Sequence, residues 1–197
     1  KGIVFTFGTI FGGKRTAGDD GFSHLINQRY IEAAKGFEQF INSYPTHSKR
    51  KRAEEMLAFG YEQIPYQQFR EGLESLKDKD LESAVQWLNK ATETADDDLI
   101  FEINSRKKDL AMVLIDSVAS HKEGLTFLQA EDLIMKARKI APDYPLCDEA
   151  LAEIYIEKTD VLLNKKNFSR AHVYLKKALE VSPDSKNQVA NRQNDLI

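Results

Sequence analysis

From Phe22 onward the apolar residues recur at intervals of three and four and almost nowhere alternate with period two. That spacing gives an α-helix one buried stripe. The pattern therefore predicts an all-α chain. Three segments align within it without gaps: Ala84-x3-Leu88-x2-Ala91, Ala130-x3-Ile134-x2-Ala137 and Ala171-x3-Leu175-x2-Ala178. Residues at i, i+4 and i+7 share one helical face, and alanine on that face lets a neighbouring backbone come close. Pro142 and Pro183 each follow 12 residues after the first alanine of their copy, whereas Asp96 holds that place in the Ala84 copy. Ala33-x3-Phe37-x2-Phe40 with Pro45 fits the same frame, so one helix occurs four times. Proline just past the last turn stops such a helix, because it has no N–H to donate and restricts the residue before it.

Upstream of three copies lies a further amphipathic stretch that ends in a polar break. These are Tyr66–Leu76 before Lys77–Asp80, Leu110–Val118 before His121–Gly124, and Leu151–Leu163 before Asn164–Asn167. Each pair predicts a helical hairpin. Between Thr46 and Leu76 the pattern is interrupted at Pro65, where a helix should break or kink. An extra helix there would account for the wide gap between the first two copies.

The first fifteen residues differ from the rest, being rich in aromatic, β-branched and glycine residues and ending in Lys14-Arg15. They predict an extended arm packed on the helical body. The tail of a membrane anchor and a partner-binding strand are the alternatives. Thr16 to Gly21 read as a loop able to cap the first helix through Asp19 or Asp20. The expected organisation is thus an arm over 1–21, a helical body over 22–184 and a C-terminal helix or tail over 185–197.

The repeated helix resembles the second helix of tetratricopeptide-repeat units. The best copy runs from Tyr155 to Pro183, with Tyr155, Leu162, Ala171, Leu175, Ala178 and Pro183 on the family's positions; Gly72 falls on the first-helix glycine of the Ala84 copy. The copies are spaced by 51, 46 and 41 residues, where regular units recur about every 34, which implies longer or inserted helices. The resemblance implies antiparallel hairpins stacked as a right-handed α-solenoid. It also implies a non-enzymatic scaffold, adaptor or assembly subunit that binds a protein in the groove lined by first helices. Carried over by position, that groove takes Tyr66, Phe69, Leu73 and Leu76, then Met112 and Ile115, then Glu153, Ile156 and Asp160. This set is apolar and lacks the Lys and Asn pattern with which some family members clamp a terminal carboxylate. The arm, through Ile3, Phe5 and Phe7, is the second expected contact, and Ile3 to Phe11 lying in the groove is a further possibility. So is burial of several groove residues inside the hairpins.

A second likeness, of Phe37–Pro45 with Ala53–Tyr61 behind it, is to the first hairpins of bacterial cell-envelope repeat lipoproteins that work in outer-membrane protein assembly. It implies a periplasmic or envelope location, with cytoplasm as the alternative, and a membrane-anchored assembly factor as the rival function.

Charge and chemistry change this picture little. With 28 basic and 31 acidic residues the formal charge is -3, which gives no drive toward nucleic-acid phosphates. No apolar run reaches the roughly 18 to 20 residues of a membrane span. Cys147 is the one cysteine, so there is no internal disulfide; at a helix start its thiol pKa would be open to lowering by the helix dipole. His24, His47, His121 and His172 stand in different hairpins without metal-ligand spacing. Gly12-Gly-Lys14 lacks the other elements of a phosphate loop. The expectation is no enzyme, no cofactor and no metal. Lys49–Arg52 reads as a solvated helix opening with acidic i,i+4 partners in Glu54 and Glu55, and Asp96–Asp98 as a turn and helix cap.

Overall fold

The computed structural model describes residues 16–78, 80–120 and 124–193. Among them all regular structure is helical: α1 (Ala17–Ile26), α2 (Tyr30–Ser43), α3 (Arg50–Lys77), α4 (Leu81–Thr94), α5 (Asp97–Ser120), α6 (Phe127–Ile140), α7 (Pro145–Asn164), α8 (Phe168–Val181), a 3-10 turn at Pro183–Ser185, and α9 (Lys186–Gln193). Residues 1–15, which carry the expected arm with Ile3, Phe5 and Phe7, lie outside the described residues. The chain forms two compact units, Lys1–Ile103 and Asn104–Ile197.

The four copies of the repeated helix are α2, α4, α6 and α8. Each is 14 residues long, and each places its first patterned alanine three residues after the helix start. The helices before the last three are 28, 24 and 20 residues long. The widened and shrinking repeat spacing is therefore taken up by first helices that shorten by about one turn each. No extra helix is inserted. Pro65 is buried within α3, which runs unbroken through it, contrary to the expected interruption. Twelve residues before each patterned alanine stand Gly21, Gly72, Val118 and Thr159, all buried. Every copy thus has a first helix, including the Ala33 copy, whose first helix is α1.

Thr16 to Gly21 are not a loop. Thr16 is the N-cap of α1: its hydroxyl accepts from the Asp19 N–H and the Asp19 carboxylate accepts from the Thr16 N–H at 2.9 Å, the reciprocal pair of a capping box. The cap is thus Thr16, with Asp19 in support. The helical body starts at residue 17, before the boundary expected at 21. Asp80, Asp96, Thr126 and Asn167 cap α4, α5, α6 and α8 in the same way, each oxygen accepting the N–H three residues on.

Three of the hairpin turns are one device. The N–H groups of Arg29, Asp80 and Asn167 donate to the carbonyls of His24, Ser75 and Leu162, five residues back, at 2.9 Å in each case. Gln28 and Lys166, in the middle of two of these turns, have φ of 58° and 56°. This is the Schellman closure, which calls for a left-handed residue just past the helix end.

In the N-terminal unit Ala33, Phe37, Phe40 and Ala53 form a buried cluster under Phe22, Leu25, Ile41, Met56 and Leu57. α1 and α2 run antiparallel at glycine-limited distance: a Cβ at Gly36 would lie 2.7 Å from the Gly21 Cα and 2.8 Å from the Ala17 carbonyl oxygen. Arg29, which starts α2, provides no side-chain cap. The buried Gln67 of α3 supplies it, its Oε1 accepting the Ile31 N–H at 3.0 Å, while Arg70 donates to the Gln28 carbonyl at 2.9 Å. α3 thus braces the α1–α2 turn from outside. α4 packs on α3 with Leu88 against Gly72.

In the C-terminal unit the core is larger and more aliphatic, with Val118, Ala130, Ile134, Leu151, Ile154, Tyr155, Leu175, Ala178 and Val189 in one cluster. Phe127, Tyr155 and Tyr174 form a ring layer with centroids 5.3 to 6.4 Å apart. α9 closes this unit: Val189 is buried, and Arg192 grips Asp160 with two hydrogen bonds of 2.8 and 3.0 Å.

Candidate functional site

The residues expected to line a groove divide between the two units. Tyr66, Phe69, Leu73 and Leu76 stand on α3. Phe69 is buried, Leu73 and Leu76 are half-buried, and Tyr66 is exposed. The Tyr66 hydroxyl donates to Asp96 Oδ2 at 2.6 Å. That hydrogen bond pushes the phenol pKa up and holds the Asp96 carboxyl below its usual range. Asp96, in the place that proline holds in the other copies, caps the next helix, α5, by accepting from the Leu99 N–H.

Met112, Ile115, Glu153 and Ile156 do come together. They line one open depression of about 590 Å³ in the C-terminal unit, formed by the end of α5, one face of α7, the Pro183–Ser185 turn and the start of α9. Successive residues of one helical stripe build it: Met112, Ile115 and Asp116 on α5, and Leu146, Glu149, Glu153 and Ile156 on α7, spaced by three and four as one face requires. Met112 is 37% exposed, while Ile156 is buried and forms floor. Asp160, the ninth expected residue, is held by Arg192 instead.

The lining is not simply apolar, as the sequence had suggested. Asp116, Glu149, Glu153 and Asp184 edge the depression, and among the described residues no Lys or Arg lines it. Asp116, Glu149 and Asp184 were missed by sequence reasoning, although Asp116 and Glu149 lie on the same stripes as Met112 and Glu153. Extending those stripes by one position would have found them. Asp184 follows Pro183 and carried no such signal. A second cleft of about 230 Å³, lined by Val118, Leu125, Phe127, Ile134 and Val161 among others, shares Ile115, Ala150 and Glu153 with the first.

The other singled-out residues have structural settings. Cys147 is 1% exposed, and burial, with the charge of Asp148, pushes its thiol pKa up rather than down. The desolvation of a buried sulfur outweighs any helix-start effect. The His47 ring packs on Phe40 at 5.2 Å and accepts from the Lys49 N–H at 3.1 Å; His24 lies in the last turn of α1, His172 is exposed, and His121 lies outside the described residues. Arg50 pairs with Glu54 at 2.7 Å, an i,i+4 pair of the kind expected there. Among the described residues no group of His, Cys, Asp and Glu could hold a metal ion, and no helix is long and apolar enough to cross a membrane.

Compared with known protein families, curated proteins and solved structures, the chain matches none of them.

Proposed function

We propose that the chain is a non-catalytic helical-repeat scaffold of the tetratricopeptide kind that holds a segment of another protein. The holding surface is the depression between α5, α7 and the C-terminal turn. The observation that carries the reading is the open apolar floor in which exposed Met112 and half-buried Ile115 and Leu146 lie over buried Ile156, built from the first helices of hairpins. Apolar side chains left together at a concave surface are a liability in a monomer and an asset at an interface. The repeat pattern supports the same reading, since hairpins of this type present first helices to ligands in the family that the sequence resembles.

The test is affinity capture from the native source with the unaltered chain and with a Met112→Glu, Leu146→Glu variant, whose changes lie at the mouth of the depression rather than in the core. A stoichiometric partner held by the first and lost from the second supports the scaffold reading. Identical retention by both, with the variant folded by circular dichroism, contradicts it.

A further inference from the structure

The depression has a sign as well as a shape. Over the whole chain the charges nearly balance, 28 basic against 31 acidic, yet Asp116, Glu149 and Asp184 all edge this one surface, and among the described residues no Lys or Arg lines it. Since no described cluster could hold a metal ion, Asp116, Glu149 and Asp184 act as a field over an open apolar floor, and that field focuses positive charge. The adjoining cleft of about 230 Å³ has walls of Val118, Leu125, Phe127, Ile134 and Val161, with Glu157 and Lys158 also in its lining and the Lys158 ammonium over the Phe127 ring. An apolar cavity of about 150 Å³ admits a benzene ring, so this cleft has room for one aromatic, Leu or Met side chain. The two hollows meet at Ile115, Ala150 and Glu153.

The geometry points to one kind of occupant: a basic amphipathic segment of a partner protein, with a bulky apolar side chain in the smaller cleft and neighbouring Lys or Arg side chains over the acidic depression. The inference rests on the scaffold reading and adds the chemistry of the partner. Rim charges of this kind act mainly on association rate and on discrimination between partners, so binding should weaken as salt rises.

The test uses the full chain and two fluorescent amphipathic peptides of the same length and apolar face, one of Lys and Leu and the other of Glu and Leu, read by anisotropy. The Lys/Leu peptide is expected to bind and the Glu/Leu peptide not. Reversing Asp116, Glu149 and Asp184 together to Lys should weaken the Lys/Leu peptide by at least about tenfold at low salt, and reversing Glu54, Glu62 and Glu71 on α3 should leave it within about twofold. Equal binding of both peptides, lost in the Met112→Glu, Leu146→Glu variant, would overturn the charge inference while leaving the scaffold reading standing. Binding of neither peptide overturns the charge inference, and the scaffold reading is then decided separately by affinity capture with the Met112→Glu, Leu146→Glu variant. A Lys/Leu affinity that falls as much on reversal of the α3 charges as on reversal of the rim also overturns it, since attraction would then be a matter of net charge alone.

Discussion

The α1–α2 and α7–α8 hairpins carry the same turn and the same stripe on the second helix, yet they are packed by opposite means. Both turns close with the five-back hydrogen bond around a left-handed residue, Gln28 in one and Lys166 in the other. Both second helices bury three stripe residues, Ala33, Phe37 and Phe40 or Ala171, Leu175 and Ala178. At the facing position of the first helix, however, stands Gly21 in one hairpin and Thr159 in the other. Gly21 lets α1 come so near that Gly36 lies against its backbone. Thr159, fully buried with its hydroxyl donating to the Tyr155 carbonyl at 2.9 Å, fills that space and leaves room for the Phe127, Tyr155 and Tyr174 ring layer. The second helix sets the repeat, and the first-helix residue sets how close the pair comes.

Substitutions at these positions should break the contrast to different degrees. Gly36→Ala should have the largest effect, destabilising by about 2 to 3 kcal/mol as backbone is forced apart, read as a lowered urea midpoint. Gly60→Ala is its control, because the nearest atoms to a Cβ there are 3.9 and 4.0 Å away; it should stabilise by about 0.5 to 1 kcal/mol through helix propensity. Equal effects of the two would deny the glycine-limited contact. Thr159→Gly should cost about 2 kcal/mol, from lost burial, a small cavity and a flexible glycine inside a helix.

The ring layer gives the second hairpin a dependence on alkaline pH. Burial, aided by the hydrogen bond to Glu131, pushes the Tyr155 phenol up to about 12. Because the folded pKa lies above the unfolded value, this stabilisation is fully present below about pH 10 and is lost as pH rises toward 12. It amounts to about 2 kcal/mol, and Tyr155→Phe should flatten the alkaline arm of the stability curve over that range. The smallest changes belong to the shared turn: Gln28→Gly and Lys166→Gly should each raise stability by about 0.5 to 1 kcal/mol, since glycine takes positive φ without strain. A gain in only one of them would mean that the two turns are not equivalent.

Much of the fold was legible in the apolar spacing. The small–large–small stripe located all four second helices, and the polar breaks located the ends of three first helices. What was not legible depended on tertiary support. Pro65 reads locally as a helix breaker, but packing of α3 along both α2 and α4 carries the helix through it. Thr16–Gly21 reads as a loop because glycines are poor helix formers, whereas Gly18 and Gly21 are both buried, Gly21 against Ala33 and Phe37 of α2. Part of the depression was legible too, because Met112, Ile115, Glu153 and Ile156 are positions that the resemblance to tetratricopeptide repeats assigns to a groove. Asp184 was not, because it reaches the rim only when the 3-10 turn folds the chain back across α7.

The depression is where the account stands or falls. The most direct measurement is a titration of the isotopically labelled full chain with the Lys/Leu peptide, followed by amide NMR shifts. The account predicts saturable shifts at Met112, Ile115, Asp116, Glu149, Glu153 and Asp184, with α1 to α4 unmoved. Shifts centred on α3 and α4, or spread evenly over acidic residues throughout the chain, would contradict it.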